Sequence, residues 1–179
     1  MEPVSHIVNI SILTETVPSA FKFANVVPLF KKGSKLDRGN YRPVSILPVL
    51  SKILERAVND QLKQFLEKNG LLFEYQSGFR GSFSTDSCTI NLTDFVKCEV
   101  SRGKMVGMVL IDLQKAFDTV NHSILLDKMG AMGIAPSSVS WFRSYLAQRA
   151  QCVTVNGDRS DFLVSPRGVF WALNYFFFI

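Results

Sequence analysis

Apolar positions recur at helical spacing over residues 48–68, where Val49, Leu50, Ile53, Leu54, Ala57, Val58, Leu62, Phe65 and Leu66 fall on one side. Pro48 suits the first turn of that helix and Gly70 the region just past its end. A second helix is predicted from about Thr85 to Val100, with Leu92, Phe95, Val96 and Val100 on one stripe and a stop before Gly103. The period changes at Met105–Ile111, a continuous apolar run of strand length, which predicts a strand buried on both faces with Asp112 at its C-terminal end. Helical spacing returns at Ile124, Leu125, Met129 and Met132, and again after Pro136 at Val139, Phe142, Tyr145 and Leu146. In "QCVTVNGDRSDFLVS", Asn156-Gly157 between alternating apolar positions predicts a two-residue hairpin turn.

Before the first helix, a short apolar segment and a turn at Pro18 lead into "FANVVPLFKK", a predicted strand that enters a basic loop. Lys31, Lys32, Lys35, Arg38 and Arg42 lie within twelve residues and are opposed only by Asp37. Gly33, Gly39 and Pro43 are expected to keep that stretch out of regular structure, which predicts a flexible positive loop. No repeat, low-complexity tract or linker interrupts the chain, so it reads as one unit of mixed helix and strand.

Composition narrows the field. A 47% apolar content over 179 residues argues against a disordered chain, and 20 Lys and Arg against 15 Asp and Glu give a net charge of +5, which permits a phosphate-rich partner without requiring one. The three cysteines, Cys88, Cys98 and Cys152, are odd in number and lack CxxC spacing, so neither a disulfide framework nor a zinc module is expected. The first twenty residues have no basic-then-apolar leader, and no stretch reaches the roughly 18 to 20 apolar residues of a membrane span. An intracellular protein of the nucleus or cytoplasm, with no export signal and no membrane partner, is the expectation.

Asp112 raises the chemical question. A carboxylate at the end of an apolar strand is costly to bury unless it is paired, and a divalent cation is one partner that offsets the cost. Capping the helix that follows is the other reading, and the local pattern leaves both open. Asp118, six residues on, would point elsewhere, toward His122 at i+4. The basic loop likewise reads either as a solvated surface or as a phosphate-neutralising element, and "GFRGS" around Arg80 would add backbone amides to the latter.

Taken in order, "VVPLFKKGSKLDRGNYRPVSILPVLSKILERAV", "YQSGFRGSFST", "IDLQKAFDTVNHSILLDKM" and "WFRSYLAQRAQCVTVNG" resemble the reverse transcriptase of non-LTR retrotransposons of the jockey-like kind, from about Val4 to Val169. The resemblance implies an α+β right-hand polymerase fold with fingers over residues 1–104, the start of the palm over 105–169 and a non-family apolar tail at 170–179. It implies RNA-directed DNA polymerase activity on an RNA template, a DNA primer and deoxynucleoside triphosphates, with Mg²⁺ as the metal and no small-molecule cofactor. Asp112 would then be the catalytic metal-binding acid, with the backbone carbonyl of Leu113 beside it. Phe117 would pack under the incoming sugar, Arg42 with Lys31 and Lys32 would hold the triphosphate, and Arg80 would contact the template. The family draws its second pair of acids from an aromatic-Ala-Asp-Asp hairpin, whereas this sequence has no two adjacent acidic residues, and "SPRGV" stands where relatives continue with Pro-Gln-Gly. The chain is therefore expected to be truncated and inactive as it stands, and a non-catalytic nucleic-acid-binding remnant is the alternative.

Overall fold

The computed structural model describes residues 2–112 and 120–164. Five helices and five strands follow in the order α1 (Glu2–Leu13), β1 (Phe23–Phe30), β2 (Tyr41–Ile46), α2 (Val49–Lys68), α3 (Thr85–Ser101), α4 (His122–Ala131), α5 (Pro136–Leu146), β3 (Ala150–Val155), β4 (Asp158–Arg159) and β5 (Leu163–Val164), with 3-10 turns at Ser19–Lys22 and Arg38–Asn40. The four helices and the hairpin foreseen from the apolar spacing all form, and the N-terminal apolar segment is helix α1.

Two of the helices end alike. After α2, the Gly70 N–H donates to Glu67 O and the Leu71 N–H to Leu66 O; after α4, the Gly133 N–H donates to Gly130 O and the Ile134 N–H to Met129 O. Gly70 (φ +61°) and Gly133 (φ +81°) supply the left-handed turn that this closure needs. In each case the next residue, Leu71 or Ile134, folds back onto the core.

That core is gathered from α2, α4 and α5 with the Val17–Phe21 connection, and Leu54, Leu66 and Met129 lie at its fully buried centre. Trp141 stacks on Tyr145 at 5.5 Å and meets Phe142 edge-on at 5.2 Å. The Trp141 indole N–H donates to Ser11 Oγ at 3.0 Å, which in turn donates to Thr16 O at 2.7 Å, so the end of α1 is held to α5 by satisfied polar groups.

The strands form one mixed sheet, ordered β2-β1-β3-β4, with β5 also paired to β3. Phe23–Val26 runs parallel to Ala150–Val153, while β1 and β2 are antiparallel from Asn25↔Ile46 to Phe30↔Tyr41. Arg42 and Pro43 therefore lie in a strand, not in the irregular loop expected from the sequence. The register explains how proline is accommodated. The Lys31 N–H bonds to Asn40 O, so by alternation the Pro28↔Pro43 rung is one where neither residue donates across the ladder.

At the start of β1 and β3 lies a buried cluster of ionisable groups. The Tyr145 hydroxyl donates to Glu55 Oε1 at 2.9 Å, and Arg149 donates from Nη1 to Tyr145 O at 3.0 Å while its guanidinium sits 4.8 Å from the Tyr145 ring centroid. Lys22 precedes the β1–β3 rung just where Arg149 does, and Glu55, Arg149 and Lys22 are all buried. Burial pushes the Glu55 carboxyl above its ordinary value, opposed by the Tyr145 hydrogen bond and the charges of Arg149 and Lys52. Burial raises the Tyr145 hydroxyl and lowers the Lys22 ammonium, the latter helped by Arg149.

One expectation fails outright. Residues 104–112 form no strand, and Met105, Val109, Leu110 and Ile111 are 100%, 84%, 86% and 83% exposed. A strand exists only through a neighbour's backbone, and the sheet, ordered around β1 and β3, takes no rung from this segment. Helix α3 forms with its capping box at Ser84 and Ser87, yet it buries no residue, and of its apolar stripe Val96 is half-buried while Leu92, Phe95 (60%) and Val100 are exposed.

Three outcomes follow for stability. Leu66→Ala, at a site with no exposure, is expected to lower the unfolding free energy by about 2 to 5 kcal/mol in urea denaturation. Leu36→Ala, at a side chain 95% exposed, is expected to change it by less than about 0.5 kcal/mol. For Glu55, the folded carboxyl holds its proton more tightly than the unfolded one. Its contribution is thus full below the ordinary value of 4.5 and is lost as pH rises through the raised folded value. Unfolding free energies compared between about pH 4 and 8 should therefore move in favour of Glu55→Gln as pH rises; a constant difference would contradict the assignment.

Candidate nucleic-acid and nucleotide site

The β1–β2 hairpin carries the densest positive charge that the sequence singled out. Its tip is tied together, contrary to the flexible loop expected. The Lys31 N–H donates to Asn40 O at 2.8 Å, Asn40 Nδ2 to Ser34 O at 2.9 Å, and the Tyr41 hydroxyl to Lys35 O at 2.9 Å. Asp37, the acid within the loop, accepts from the Gly39 N–H at 2.8 Å and so is spent as a local cap. Gly33 holds φ +88°, and a Cβ there would come 2.7 Å from Asn40 Nδ2, so the close turn requires glycine.

Lys31, Lys32, Lys35, Arg38 and Arg42 are all exposed, and no ion pair neutralises any of them among the described residues. Beside them the antiparallel register places Phe30 opposite Tyr41, with ring centroids 5.5 Å apart and edge-to-face, and Lys35 Nζ lies 5.8 Å from the Phe30 ring. Phe30 is 38% exposed. The result is a fixed lobe of five cations next to an aromatic pair, a surface suited to polyanions and to flat bases. The aromatic pair was not legible in the sequence because residues 30 and 41 meet only once the strand register is known.

Arg80 is engaged differently. Its Nη1 donates to Phe73 O and Glu74 O at 3.3 Å each, and its guanidinium packs 4.9 Å from the Phe83 ring centroid. It staples the loop between α2 and α3, where Gln76 Nε2 also donates to Gly78 O at 3.0 Å.

Asp112 is exposed, at the end of the solvent-facing apolar segment. Leu113, Phe117 and Asp118 lie outside the described residues. Among the described residues, no three His, Cys, Asp or Glu side chains are grouped so as to hold a metal ion. A two-metal site needs convergent carboxylates, and a single solvated one does not fit that requirement. His122, predicted to face Asp118, starts α4 just after the Asn121 cap, and burial lowers its imidazole below its ordinary value. No described helix is long and apolar enough to cross a membrane.

The family profile described as "Reverse transcriptase (RNA-dependent DNA polymerase)" matches residues 30–172, from the end of β1 onward. The RNA-directed DNA polymerase from mobile element jockey of Drosophila funebris is 30% identical over 153 residues, covering 85% of this chain and 17% of that protein. The probable RNA-directed DNA polymerase from transposon BS of Drosophila melanogaster is 30% identical over 164 residues, 91% of this chain and 18% of that protein. A retrovirus-related Pol polyprotein from type-1 retrotransposable element R2 of Popillia japonica is 24% identical over 163 residues, 90% of this chain and 22% of that protein. The chain thus spans less than a quarter of the length of these relatives. The profile match covers the tip of the basic hairpin with β2, the Arg80 loop, the segment ending at Asp112 and the β3–β4 hairpin together, and the chain belongs to the reverse transcriptase (RNA-dependent DNA polymerase) family.

Proposed function

We propose that this chain is the template- and nucleotide-holding portion of an RNA-directed DNA polymerase of a mobile element, and that it binds nucleic acid without performing transfer by itself. The observation that carries the binding half is the hairpin tip, where five exposed cations stand on a backbone fixed by its own hydrogen bonds. Such preorganisation lowers the ordering cost of gripping phosphates. In this reading residues 1–104 are the fingers and 105–169 the beginning of the palm of a right-hand polymerase. Arg42, Lys31 and Lys32 hold the triphosphate or the template backbone, and Phe117 packs beneath the sugar. Arg80 acts on the template side through the loop it staples, since two of its donor contacts already go to backbone carbonyls.

The second half of the proposal concerns chemistry. Asp112 with the Leu113 carbonyl would supply one arm of a Mg²⁺ site. The sequence offers no adjacent acidic pair for the other arm, and no described residues cluster around a metal position. Nucleotidyl transfer needs both arms to stabilise the attacking and leaving oxygens.

Fluorescence anisotropy with labelled single-stranded RNA should show sequence-tolerant binding that weakens steeply with salt. Replacing Lys31, Lys32 and Lys35 with Gln should reduce the slope of log K against log salt by about 0.7 for each phosphate that is no longer neutralised. An unchanged slope would place the binding surface elsewhere. In a primer-extension assay with Mg²⁺, the isolated chain is expected to add no nucleotides; extension that vanishes in Asp112→Ala would show that this chain assembles a working metal site after all.

A further inference from the structure

Away from the basic hairpin, the helical side of the molecule holds a cavity of about 350 Å³, where α1, α2, the α4–α5 turn and α5 meet. The cavity is open to solvent on one side, and small-molecule sites typically begin at about 300 Å³. The walls are Val58, Leu62, Phe65, Ile134, Trp141 and Phe142, of which Leu62, Ile134, Trp141 and Phe142 are each less than a tenth exposed. No ionisable side chain is among the lining residues.

The polar groups lie to one side. Ser137 and Ser138, in the first turn of α5, line the cavity and are exposed, and their hydroxyls make no hydrogen bond within the described residues. Gln61 also lines it, with Nε2 already donating to Ala57 O at 3.0 Å. The apolar wall is fixed from behind. The Trp141 N–H is held by Ser11, and its ring stacks on Tyr145 and meets Phe142 edge-on. Gly133, at the positive φ that closes α4, leaves the rim without a side chain.

From this geometry we infer that the cavity is a binding site for an uncharged, largely apolar small molecule with one hydrogen-bonding group directed at Ser137 and Ser138. An ionised ligand would lose hydration against walls that offer no opposite charge, whereas a neutral ring system would exchange water for apolar contact on a preformed surface. None of the lining residues belongs to the hairpin or to the Asp112 segment, so the cavity stands apart from the polymerase reading.

The test is titration of the full chain with N-phenyl-1-naphthylamine, an uncharged fluorescent probe. Saturable one-to-one binding is expected, with energy transfer from tryptophan, since Trp141 forms part of the wall. Val58→Phe and Ser138→Leu, which fill the cavity from its floor and its rim, should each weaken binding by about tenfold or more. Val49→Phe, on α2 at a position 72% exposed and outside the lining, should leave it unchanged. The sulfonated analogue 8-anilinonaphthalene-1-sulfonate should bind about tenfold more weakly than the neutral probe. Thermal unfolding reports whether each variant folds; if Val58→Phe does not, Ser138→Leu at the exposed rim decides. Binding that never saturates, that survives the folded filling variant, or that is as tight for the sulfonate would overturn the inference.

Discussion

Four rungs of parallel ladder, Phe23–Val26 against Ala150–Val153, join segments more than a hundred residues apart, and the placement of everything else follows from that pairing. Parallel pairing requires a long crossover, and here the crossover contains α2, α3, α4 and α5. Three of these helices converge on one core, with the crossover wrapped around Leu54, Leu66 and Met129. The ladder also sets the buried chemistry at the junction. It brings Lys22 alongside Arg149, and Arg149 then lies against Tyr145, which reaches Glu55 on α2. The start of β1, the turn from α5 into β3 and helix α2 are thereby linked through strongly desolvated groups, with Arg149 Nη2 buried and unpaired, an arrangement whose geometry must be kept because each partner left alone would add a further buried unpaired polar group.

The same ladder aims the hairpin. β1 leaves the pairing with β3 after Val26 and continues to Phe30, paired only with β2, so the cationic tip projects past the part of the sheet supported by β3. Its rigidity comes from local bonds among Ser34, Lys35, Asn40 and Tyr41 and not from packing, which leaves the lysine and arginine side chains in solvent. Surface charge contributes little to fold stability, so the uncompensated cations on this loop add little to what holds the hairpin together.

Other parts of the chain show how much of a helix or strand depends on what surrounds it. α3 has a complete N-terminal capping box and an apolar stripe, yet it buries nothing among the described residues. The run from Met105 to Ile111 has the composition of a buried strand and is exposed. Large apolar surfaces of this kind mark places where burial against another element would be favourable. Asp112 stands at the end of that run, so its environment, and hence its capacity to hold a metal ion, depends on whether the run acquires neighbours.

The sequence by itself determined the local elements and the family. Period, caps and turn residues located α2, α4, α5 and the Asn156–Gly157 hairpin, because those signals act over a few residues and need no partner. The ordered motifs pointed to a reverse transcriptase for a related reason: residue types at fixed spacing survive in the linear chain. What spacing could not supply was pairing. That Pro43 lies in a strand, that Phe30 faces Tyr41, that Glu55 meets Tyr145 and that Met105–Ile111 finds no sheet all depend on contacts between distant segments. Apolar content makes a segment able to be buried, and only the tertiary structure, by placing another backbone and another side chain against it, decides whether it is.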